Sequence, residues 1–125
     1  MVFAKRVFLV AAVYGFLALL PQYFMEDRVG RDFPPAITHA ENFYGFLGVA
    51  LAWQVMFVLI SKDPVRYRPA MLVGMLEKVS FGLATVVLFL QGRLSPVVLA
   101  AGCVDLLFAG LFVVAFLRTE PAKTP

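Results

Sequence analysis

The stretch Ala70–Leu90, AMLVGMLEKVSFGLATVVLFL, decides how this chain folds. It is apolar along its length apart from Glu77, Lys78 and the hydroxyls of Ser80 and Thr85. A helix needs about 20 such residues to cross the hydrocarbon core of a bilayer. A lone strand would leave its backbone groups unpaired in lipid, so helix is the default. Three further runs are also long enough: Val7–Phe24, Asn42–Ile60 and Val97–Leu117. The sequence therefore predicts an all-α polytopic integral membrane protein. Its single transmembrane domain, residues 1–125, is a four-helix bundle with helices over roughly 7–24, 42–60, 70–90 and 97–117.

Composition points the same way. Of the 125 residues, 62% are hydrophobic and 15% charged, against about 25% charged in soluble domains. Mean hydropathy is +0.87. A soluble domain of this size has too much surface for so few charges to cover. A net charge of +3, with the basic residues in loops between apolar runs, argues against nucleic acid as a partner. The single cysteine, Cys103, excludes an intrachain disulfide and a cysteine-rich metal site. His39 stands near Asp32 and Glu41, but one histidine in a loop reads as a solvated helix-start residue, and no metal or other cofactor is expected.

Boundary residues bracket the runs. Thr38 and Glu41 have capping-box spacing before the second run. Ser95 and Pro96 place an N-cap and a first-turn proline before the fourth. Gly92 suits the end of the third, and Pro121 forbids much helix beyond Arg118. Pro21 is expected to bend the end of the first. Lys5 and Arg6 before an apolar stretch fit a signal peptide, yet Pro21, Gln22 and Tyr23 stand where a small-residue cleavage site belongs, so the first run is expected to be retained. The connection Met25–Glu41 is expected to lie along the membrane surface, with Phe24, Phe33, Phe43 and Tyr44 at headgroup level.

Lys and Arg set the orientation. Lys5 and Arg6, then Lys62, Arg66 and Arg68, then Arg118 and Lys123 put seven on one side. Arg28, Arg31 and Arg93 put three on the other. Both termini are expected in the cytoplasm, and the chain in the bacterial inner membrane as a multi-pass protein.

Ionisable groups inside a span are costly and mark candidate sites. At ~1.5 Å per residue, Glu77 and Lys78 lie about 10–12 Å from the cytoplasmic edge and Asp105 about 12 Å from the outer one. Tyr14 and Gln54 fall at a similar depth, and Trp53 is beside Gln54. One shared polar cluster of Tyr14, Trp53, Gln54, Glu77, Lys78 and Asp105 is expected. Gly74, Lys78 and Gly82 recur at four-residue spacing, as do Ala101, Asp105 and Ala109. Such stripes let membrane helices approach closely, so the third and fourth runs are expected to pack across a Lys78–Asp105 pair. Adjacent residues diverge by about 100° on a helix. Glu77 is then left to Tyr14, Gln54, water or a proton, and is the candidate for a group that gains and loses a proton. The plainer reading is a buried polar layer that only fixes helix register.

The segments RPAMLVGMLEKVSFG from Arg68 and DLLFAGLF from Asp105, set in four short-looped spans, resemble the small bacterial membrane proteins called DoxX-like. That resemblance lies in architecture and glycine–carboxylate texture. It implies a four-helix fold and an association with respiratory quinone or thiosulfate oxidation, and supplies no catalytic residue. The small multidrug transporters share the size, but resemblance to them implies a glutamate in the first helix, and this chain has none there. The expected function is an accessory or scaffold subunit rather than an enzyme, in contact with the lipid bilayer and with a second copy or another membrane protein. The alternatives are a proton-linked transporter or small-ligand carrier working through an intramembrane carboxylate, and a quinone-associated oxidoreductase component.

Overall fold

A computed structural model describes residues 2–122; Lys123, counted above with the tail, lies outside the described residues. The chain is all-helical. Helix α1 (Val2–Leu19) runs into a 3₁₀ turn (Leu20–Phe24), followed by a short α2 (Glu26–Asp32), then α3 (Ala40–Lys62), α4 (Arg68–Leu90) and α5 (Pro96–Arg118). Four of these, α1 with its 3₁₀ turn, α3, α4 and α5, are long and apolar enough to cross a membrane.

Two pairs build the bundle. α4 packs tightly on α5 and α1 on α3, with α1 also against α5 and only a thin contact between α3 and α4. The α4–α5 seam rests on small residues. A β-carbon on Gly82 would come within 2.9 Å of the Gly102 carbonyl oxygen, and one on Gly102 would overlap the Thr85 hydroxyl. Close backbone approach of this kind is how membrane helices gain van der Waals contact. Gly74, Lys78 and Gly82 are all buried, as the stripe predicted. On α5 the tightest position is Gly102 rather than Ala101, which is half-buried.

An aromatic layer fills one half of the core. Phe8 stacks on Phe112 at 4.1 Å between centroids, and Phe57 meets Phe112 edge-on at 5.1 Å. Gly74 lets α4 join them, because a side chain there would press on Phe57 and Phe112. Most other large apolar side chains point outward; Leu17, Leu76 and Leu107 are all more than 60% exposed. That inverted pattern suits a lipid solvent, which competes for apolar surface as well as the core does.

One end of the bundle gathers both helix termini and the α3–α4 turn. Arg118 lies over the Phe3 ring, and Arg68 lies over Phe116 while its Nε donates to the Thr119 carbonyl oxygen at 2.7 Å. Thr119 is itself buried and donates its hydroxyl to the Ala115 carbonyl.

Helix ends depart from expectation where local chemistry differs. α1 begins at Val2, five residues earlier, because Lys5 and Arg6 sit on its exposed face and do not interrupt it. It ends at Leu19, with Pro21 in the first turn of the 3₁₀ segment. Thr38 does not cap α3; His39 is the N-cap, and its ring lies 3.4 Å from Glu41. Ser95 caps α5 by accepting from the Val98 N–H, and Gly92, at φ +71°, closes the turn after α4. The Met25–Glu41 connection contains the helix α2, which was not expected. Acidic Glu26 and Asp27 in its first turn and Arg31 in its last suit the helix dipole.

Candidate functional site

Tyr14 from α1, Gln54 from α3, Glu77 and Lys78 from α4 and Asp105 from α5 line one cavity of about 130 Å³. Each long helix contributes, so the cavity exists only in the assembled bundle. It runs from Lys78 past Gly15 and Ala18 to Gln22, away from the end that holds the termini. Towards the termini Phe57 and Phe108 face the Lys78 ammonium at 5.3 and 5.6 Å from their centroids. Lys78 is thus the floor of the cavity, and its cation sits against aromatic faces that stabilise it.

Lys78 is 3% exposed. Its Nζ lies 3.5 Å from Asp105 Oδ1 across the α4–α5 seam and 3.8 Å from Glu77 Oε2 on its own helix. The expected divergence of Glu77 from Lys78 is corrected by the lysine stem, which is long enough to bring one ammonium beside both carboxylates. Both distances are long for charged partners, which meet at about 2.7–2.9 Å in a direct hydrogen bond. The Lys78 contact with Glu77 is an ion pair without a hydrogen bond. The Lys78 ammonium is thus shared between the two carboxylates, with its hydrogen bond going to Asp105.

Two buried acceptors in this layer have no hydrogen-bond donor. Among the described residues, Gln54 Oε1 and Glu77 Oε2 are the buried side-chain polar atoms without a hydrogen-bond partner. The Gln54 amide nitrogen is committed to the Ala50 carbonyl oxygen at 2.9 Å, which fixes Oε1 where it is. Buried acceptors without donors are uncommon and costly.

Trp53 belongs to a different surface. It does not line the cavity; it lines a groove of about 470 Å³ on the outside of the bundle, between α3 and α4, with Val73, Leu76 and Phe81. One step along a helix turns a side chain by about 100°, which carries Trp53 out of the layer that holds Gln54. Phe46, Ala50, Glu77 and Phe81 line both cavity and groove. The thin α3–α4 contact thus leaves an outward groove between these helices, with Glu77 among the residues that line it. Sequence reasoning missed this groove. Nothing in the α3 or α4 pattern announces it, since both walls are as apolar as any lipid-facing surface.

Among the described residues no three His, Cys, Asp or Glu side chains gather as a metal site would require. No protein-family model, curated protein or solved structure matches the chain.

Proposed function

We propose that this chain is a carrier in the bacterial inner membrane, with both termini cytoplasmic, that exchanges a proton for a small ligand at Glu77. The carrying observation is that Glu77 and Asp105, lining one cavity, share the single cation of Lys78. A polar layer that only set helix register would satisfy its members mutually, because an unmade hydrogen bond is expensive in a dry interior. Here Gln54 Oε1 and Glu77 Oε2 are left without a hydrogen-bond donor. A proton on Glu77 is one such donor. The titratable and charged groups facing Glu77 are Lys78 on its own helix, Asp105 on α5 and Tyr14 on α1; α3 offers only the neutral Gln54. The orientation is supported by the basic residues Arg68 and Arg118 at the end that gathers the termini.

Infrared titration of the protein in proteoliposomes tests this reading, with Glu77→Gln as the reference. A carboxyl band that changes with pH in the wild type and is missing from the variant supports proton exchange. A wild-type spectrum with no such difference removes Glu77 as an exchange site and returns the cluster to a purely structural role. An accessory subunit with a register-setting polar layer is the second reading, favoured by the tight Gly82–Gly102 seam. It expects Glu77→Gln to leave stability, assembly and spectra unchanged.

A further inference from the structure

We propose that the cavity is a water-filled half-channel: water and protons reach Lys78 and Asp105 from the end of the bundle opposite the termini, past Gln22, and the aromatic layer closes the other side. The inference rests on the exchange reading above for the use made of the proton, and names the side from which that proton comes. The contrast between the two halves of the bundle carries it. From Tyr14 to Gln22 the cavity follows α1 for about 12 Å. Gly15, Ala18, Ala50 and Ala101 line it, and their small side chains leave the room. Its volume of about 130 Å³ is several times the roughly 30 Å³ that one water takes in the liquid. A cavity holds water when it is both roomy and polar, and Tyr14, Gln22, Lys78 and Asp105 supply the polar groups. The half towards the termini is the opposite. Phe8, Ala11, Phe57, Met71 and Phe112 are all 0% exposed, and the three rings pack on one another. Along α4 this packed half runs from Lys78 to Met71, about 10 Å. Apolar constrictions block ions by excluding water. Charges inside a span are costly unless they face water or each other. Asp105 keeps 14% of its side chain exposed, and it lines this cavity rather than the α3–α4 groove. The charged and titratable groups around the half-channel are Glu77 and Lys78 from α4, Asp105 from α5 and Tyr14 from α1, with the neutral Gln54 on α3. A proton that leaves a carboxyl here passes to cavity water and out past Gln22. The aromatic layer must part before one passes the other way.

Thiol reactivity along the bundle tests this. Cys103→Ser removes the native thiol. Ala18→Cys and Ala101→Cys then place single cysteines in the cavity, Leu17→Cys on the outside of the bundle and Ala11→Cys in the aromatic core. The full chain in phosphatidylcholine nanodiscs, which leave both ends open to solvent, is treated with a charged, water-soluble methanethiosulfonate, and the modified fraction is followed by mass spectrometry. Positions 18 and 101 should react about tenfold or more faster than 17 and 11, because the reactive thiolate forms in water and is disfavoured in apolar surroundings. Position 11 should gain reactivity when Phe57→Ala opens the layer, and Phe112→Ala keeps the test open if that variant does not fold. Rates at 18 and 101 no faster than at 17 would mean a dry cavity and overturn the half-channel. Fast reaction at 11 with every ring in place, or an inert position 11 in both ring variants, would overturn the aromatic barrier. Reactive positions 18 and 101 with no titrating Glu77 band keep the half-channel and remove its use in exchange. A titrating band with both positions unreactive does the reverse.

Discussion

The side-chain amide of Gln54 fills the space that a β-carbon on Gly15 would take. Gly15 on α1 is therefore what lets a glutamine on α3 lie flat against a neighbouring helix, its nitrogen on the Ala50 carbonyl and its oxygen against Gly15. Without that clearance Gln54 would have to leave the layer that it shares with Glu77.

This clearance is testable. Gly15→Ala should lower the thermal midpoint of the detergent-solubilised protein, with a loss of about 1–3 kcal/mol, the usual cost of forcing atoms into a packed interior. Adding Gln54→Ala removes the colliding group and should restore most of the loss. If Gly15→Ala alone is silent, the two helices can separate cheaply and the cavity wall is not fixed by this contact.

The position of Lys78 between two carboxylates orders a second set of variants. Lys78→Met leaves both Glu77 and Asp105 without their shared cation, whereas Asp105→Leu leaves Lys78 still beside Glu77. Lys78→Met should therefore be the most destabilising, Asp105→Leu the mildest, and the double variant intermediate. The coupling between the two sites should fall at about 0.6–1.7 kcal/mol, the range found for polar contacts inside membranes. Thermal unfolding of the four proteins measures it. Additive losses would show that Lys78 and Asp105 do not interact.

The four long apolar helices were legible because hydropathy over twenty residues is a strong signal, and their ends moved where capping chemistry was misread and where Lys5 and Arg6 continue α1 rather than precede it. Thr38 and Glu41 had the right spacing, yet the N-cap falls one residue later, at His39. The depth arithmetic brought Tyr14, Gln54, Glu77, Lys78 and Asp105 to one layer because rise per residue is fixed in a helix. It failed for Trp53, since depth carries no information about which way a side chain faces. In a soluble bundle the polar face would have supplied that direction. Here Leu76 on the outside and Phe57 in the core are equally apolar, so neither the helix pairing nor the α3–α4 groove could be read. The reach of the Lys78 stem back to Glu77 was also invisible to an argument built on helix angles alone.

Topology is open to direct labelling. Cys103→Ser gives a cysteine-free background, and Thr38 and Asp63 are exposed positions at opposite ends of α3. Single cysteines placed there should react differently with an impermeant thiol reagent on intact cells. Position 38 should label and position 63 should label only after lysis. The opposite result would invert the orientation inferred from the basic residues.

The α4–α5 seam separates glycines that hold the bundle together from glycines that do not. At Gly82 a β-carbon would meet the Gly102 carbonyl oxygen, which is backbone and cannot swing aside, as well as the Leu106 side chain. At Gly110, on the same α5 helix, a β-carbon meets nothing within 4 Å. Glycine costs a helix interior roughly 1 kcal/mol relative to alanine in water, so Gly110→Ala should be neutral or stabilising. Gly82→Ala should instead prise α4 from α5 and cost about 1–3 kcal/mol. Because Lys78 lies one turn from Gly82 and Asp105 one turn from Gly102, the separation should also lengthen the ion pair. The Lys78–Asp105 coupling measured by the variant set above should then shrink in the Gly82→Ala background and persist in the Gly110→Ala one. Equal coupling in both backgrounds would mean that the seam does not set the distance between the two charges.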